Sequence, residues 1–109
     1  MTKKKTKAPP EHFWNELVSL YFRFCNEKFH DVPTFSGSAP RDMKEIIIAL
    51  RKRAEHSGYE WNHETATTRW WAFLEFAYRS DAWLRDHWLL SHLNRNKDAI
   101  FLNHSKQKK

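Results

Sequence analysis

The chain has 109 residues, a formal net charge of +6, six Trp among an aromatic content of 16%, two Gly and a single Cys. That length suits one hydrophobic core, and a high aromatic share makes a small core feasible because each buried ring removes a large area from water. The lone Cys25 excludes an internal disulfide, and there is no apolar run near the roughly 20 residues a membrane helix needs. No apolar stretch follows the first lysines, so no secretory leader is expected, and the expectation is a complete cytoplasmic protein.

Residues 1–10 form a lysine-rich arm (Lys3, Lys4, Lys5, Lys7) ending in Pro9-Pro10. It is too polar to bury anything, so disorder is expected. The helical domain should span residues 11–104. Its first helix is predicted from about Glu11 to Lys28, with Trp14, Leu17, Val18, Tyr21 and Cys25 at helical period. Phe13, Leu20 and Phe24 widen that apolar surface. His30 to Ser38 reads as a loop, because Pro33 disfavours helix at Val32 and Ser36-Gly37-Ser38 is turn chemistry. Phe35 should pin this loop to the core. Ser38 is the expected N-cap of a second helix reaching His56, with Met43, Ile46, Ile47, Leu50 and Ala54 as its stripe. Gly58 should end it.

A third helix is expected to begin after Asn62 and reach about Tyr78, with Ala66, Trp70, Phe73, Leu74 and Ala77 facing the core. Ser80 or Asp81 then caps a short helix holding Trp83 and Leu84. Ser91 is the expected cap of a last helix through Asn103, with Lys97 snorkelling to water. Residues 105–109 read as a second disordered basic tail, with Lys106, Lys108 and Lys109. No segment alternates like a strand. The fold class is therefore all-α: a compact bundle of four to five helices with disordered lysine-rich tails.

The charge divides unevenly. The two tails hold seven basic residues and no acidic ones, which leaves the body at −1. A basic surplus points to phosphates, and here it points to tails that steer or tether, where lysines also serve solubility. Within the body, Arg51-Lys52-Arg53 projects from one turn of the second helix, where it also offsets the helix dipole. Arg69 and Arg79 flank Trp70-Trp71, and Arg95 lies on the last helix. Arginine beside exposed Trp or Tyr is the chemistry of single-strand stacking. Trp70 reads as core. Trp14, Trp61, Trp71 and Trp88 exceed what the core can be expected to take, so they are the candidate partner contacts.

Other chemistry finds little support. Seven histidines are present, but no HExxH motif and no His pair four residues apart, so no metal or cofactor is expected. Cys25 lies in an apolar stripe and reads as a small core residue. No GxSxG, Walker loop or GxGxxG occurs. An enzyme is not expected, nor a small-molecule substrate.

The order of Phe22, Phe24, Pro33-Thr34-Phe35-Ser36-Gly37, Met43-Lys44-Glu45-Ile46-Ile47-Ile48-Ala49-Leu50, Trp71-Ala72-Phe73-Leu74, Trp83-Leu84 and Leu93-Asn94-Arg95-Asn96-Lys97 resembles helical regions of replication-associated proteins from phages and mobile elements of Bacteroidota. The resemblance runs from about Phe13 to Asn103, mostly on core positions, and carries over no catalytic residue. It implies a small nucleic-acid-associated accessory protein. Its body would dock on a protein or nucleoprotein, and Lys3, Lys4, Lys5, Lys7, Lys106, Lys108 and Lys109 would contact DNA or RNA phosphates. The rival is a protein–protein module, an inhibitor or adaptor, that binds no nucleic acid.

Overall fold

A computed structural model describes residues 13–107, with side chains to residue 104. The arm lysines Lys3, Lys4, Lys5 and Lys7 and the tail lysines Lys108 and Lys109 lie outside the described residues. Among those described there are six helices and no strand: α1 (Trp14–Phe29), α2 (Ala39–His56), α3 (His63–Ser80), α4 (Ala82–Asp86), α5 (Leu90–Arg95) and α6 (Lys97–Gln107). The protein is all-α.

Helix α3 is the hub, packing against α1, α2, α4 and α6, while α5 fills the remaining face of α2. Its centre is Trp70, which is fully buried. The Trp70 indole donates a 2.9 Å hydrogen bond to the Leu17 carbonyl in α1, so its one polar atom is satisfied. Leu17, Met43, Ile46, Ile47, Leu74 and Leu93 join it at the positions that period predicts, and Phe24, expected only to widen the α1 surface, is fully buried as well.

The helix ends follow local chemistry. Asn62 accepts from Thr65 N at 2.8 Å and starts α3, and Asp81 accepts from Leu84 N at 3.1 Å and starts α4. Gly58, with φ +92°, closes α2 in a Schellman arrangement: Tyr59 N donates to Ala54 O and Gly58 N to Glu55 O. The expected caps at Ser38 and Ser91 do not form. The Ser38 side chain makes no capping bond, and the α2 start rests on Pro40 and on Asp42 in its first turn. Ser91 falls inside α5. The last helix is two helices that meet at Asn96, whose side-chain amide and backbone N–H both donate to His92 O, at 2.7 and 3.1 Å. The second of them, α6, runs to Gln107, three residues beyond the expected domain end, so Lys106 lies on its last turn. The half-buried Lys97 donates from its ammonium to Asn94 Oδ1 at 2.9 Å and Asn94 O at 3.2 Å.

Candidate nucleic-acid interface

The body's near-neutral charge conceals a segregation. A groove of about 740 Å³ opens between the end of α2, the middle of α3 and α6. Lys52, Arg53 and Arg69 line it together with His56 and His104, and among the described residues no carboxylate does. The groove is therefore a cationic surface against a wall of Phe73, Phe76 and Phe101.

Both arginines lie over rings. The Arg53 guanidinium is 4.6 Å from the Phe101 ring centroid, and that of Arg69 is 4.8 Å from the Tyr59 centroid. Such stacking holds a planar cation in place. Tyr59 is 57% exposed, whereas the phenylalanine rings of the groove are buried. It is carried there by the Schellman turn, whose Tyr59 N–H is bonded back to α2. His104 meets Phe76 edge-on at 5.0 Å and closes the α6 side.

The sequence-predicted candidates separate accordingly. Lys52, Arg53 and Arg69 converge on the groove. Arg51, although adjacent in sequence, turns to Glu55 on its own helix at 3.0 Å. Arg79 and Arg95 are exposed and line no part of the groove. The side chain of Lys106 lies outside the described residues, but it follows the groove residue His104 by two positions.

The tryptophans require a larger correction. Trp61 is buried at 9% exposure and belongs to the core, so it offers no contact surface. Trp14, Trp71 and Trp88 are half-buried and pack against the core. Trp14 leans on Phe35 at 6.3 Å, Trp71 meets Phe24 at 5.2 Å under Arg23, and Trp88 stacks on Phe24 at 5.5 Å. The tryptophan most open to solvent is Trp83, at 51%. It was expected only as an element of the short helix, and it stacks on His87 at 4.4 Å and touches His92 at 4.9 Å.

Sequence reasoning missed Tyr59, His56 and His104. The histidines were weighed only as metal ligands, and among the described residues no group of three ligating side chains assembles. Tyr59 and Arg69 meet because a turn reverses the chain between them, and no periodicity records that. Among the described residues no helix is long and apolar enough to cross a membrane. No protein-family model, curated protein or solved structure matches the chain.

Proposed function

We propose that this protein binds single-stranded nucleic acid as an accessory component of a larger nucleoprotein assembly. The observation that supports this most is the groove on which Lys52, Arg53 and Arg69 converge beside the exposed Tyr59 ring. Phosphates would lie along the three cations, and a base would stack on the Tyr59 face opposite Arg69. That pairing of a cationic track with a ring is what sequence-tolerant single-strand binding uses. A duplex keeps its bases stacked inside and gains only the phosphate contacts. The lysine tails add electrostatic steering to the same polymer, and an assembly of a phage or mobile element is the setting the resemblance suggests.

The test is fluorescence anisotropy with labelled single-stranded and duplex oligonucleotides at low salt. Tyr59→Ala should weaken single-strand binding by about 1–3 kcal/mol and leave duplex binding unchanged. Equal effects on both, or none on either, would remove the stacking role.

A second reading rests on Trp83 and Leu89, exposed at 51% and 55% on α4 and the segment after it. Trp is favoured where partners anchor, so this patch supports a protein-docking module. Under that reading Trp83→Ala abolishes a purified partner's binding and nucleic-acid affinity is negligible throughout.

A further inference from the structure

The basic groove holds two imidazoles among its lysine and arginines. His56 comes from the last turn of α2 and His104 from α6, so they stand on two of the helices that bound the groove. Both are exposed. The His104 ring rests edge-on against Phe76 in the apolar wall. The other charged or titratable groups lining the groove are Lys52 and Arg53 from α2, Tyr59 from the turn and Arg69 from α3. Among the described residues no carboxylate lines it. The two carboxylates nearest His56 in sequence lie elsewhere. Glu55 pairs with Arg51 at 3.0 Å, and Glu60 is exposed and lines no part of the groove.

This composition makes the charge of the groove depend on pH. Lysine and arginine keep their charge across the physiological range, whereas imidazole ordinarily titrates within it. Protonating His56 and His104 adds two positive charges to the three of Lys52, Arg53 and Arg69. A phosphate chain laid along the groove favours the charged form of each ring, because opposite charges attract most where the dielectric is reduced. By linkage, protonation must favour the phosphate chain equally.

We infer that His56 and His104 make the groove a proton-dependent clamp for single strands, which tightens below neutral pH and loosens above it. This rests on the nucleic-acid reading of the groove and adds the regulation of that same site. The sign follows from charge. The complex takes up as many as two protons, so affinity climbs as pH falls through the imidazole range. It levels off once both rings are charged in the free protein.

The experiment is fluorescence anisotropy of a labelled oligothymidylate with the full chain, from about pH 8 to about pH 5.5. Neither thymine nor a phosphodiester titrates in that range, so the ligand adds no pH dependence of its own. Affinity at fixed salt should rise about tenfold between the two ends. The slope of log affinity against log salt should steepen by about 1.4, since each added phosphate contact contributes about 0.7. His56→Gln with His104→Gln should flatten both trends. His63→Gln with His87→Gln removes as many exposed histidines outside the groove and should keep the parent profile. Melting temperatures at both ends of the range verify each fold. Should the groove variant fail to fold, each single variant should keep about half of the rise on the logarithmic scale. An equal rise in the groove and control variants would overturn the inference and assign the effect to overall charge. A flat profile in the parent, with binding intact, would overturn it and leave the nucleic-acid reading standing. No binding at any pH would overturn both.

Discussion

At the level of single residues, the structure places two opposite kinds of stress. His30 ends α1 in the left-handed region, with φ +58°, where a side chain costs about 1 kcal/mol or more. His30→Gly should therefore raise stability by about 1 kcal/mol, read as a higher urea midpoint at unchanged slope. The other stress is electrostatic. Burial pushes the Cys25 thiol above its ordinary range, against a smaller opposing effect of the Tyr21 hydroxyl, and burial pushes the Tyr21 phenol up as well. Both groups are neutral in the fold. Their contribution is intact below the ordinary thiol range and falls as pH rises through it, because the unfolded chain releases the protons first. Denaturation midpoints should decline above about pH 9, and Cys25→Ala should delay the onset of that decline. A flat profile in the parent protein would contradict this. Cys25 as a core residue was legible from its place in an apolar stripe. The strain at His30 was not, since nothing in Phe29-His30-Asp31 announces a left-handed end.

Elements were most legible where a side chain writes its own boundary. Asn62 and Asp81 each accept from a backbone N–H three residues on, and both were readable from their position before an apolar run. Asn62→Ala should cost about 1 kcal/mol, measured as a shift in urea midpoint, with Asn62→Ser nearly neutral. Ser38 and Ser91 had the same chemical credentials without the geometry. The α2 start is instead fixed by Pro40, and by Asp42 held through Asn94, which also donates to Glu45 at 2.7 Å. That network ties α2 to α5 across about fifty residues of chain, so it lies beyond any local pattern. The split between α5 and α6 falls at Asn96, whose backbone N–H and side-chain amide both donate to His92 O, and nothing in the sequence around it announces a break. Tryptophan exposure was legible only in part, since Trp14, Trp71 and Trp88 are half-buried. Trp61 lies in a connector, where rings are often open, yet it is carried into the core, whereas Trp83 on a regular helix faces solvent.

Across the whole molecule, the informative quantity is how charge is distributed. A body of net charge −1 holds a groove with three arginines and lysines and a pocket with three aspartates, at opposite ends of one helix. From Asp42 to Arg53 is about 16 Å along α2 at the helical rise, so the two concavities are separate in space. The sequence allowed Lys52, Arg53 and Arg69 to be named as candidates, because basic residues near aromatic ones are visible in one dimension. It could not bring them together, nor set Arg51 aside, because those outcomes depend on how α3 and α6 pack against α2. The central claim is that the groove, and not the tails alone, holds the nucleic acid. The most direct measurement is the salt dependence of single-strand affinity for the full chain and for a Lys52→Gln, Arg53→Gln, Arg69→Gln variant whose fold is verified by its melting temperature. Losing three phosphate contacts should lower the slope of log affinity against log salt by about 2, with weaker binding at low salt. An unchanged slope in that variant, with binding lost only when the lysine tails are removed, would contradict the account.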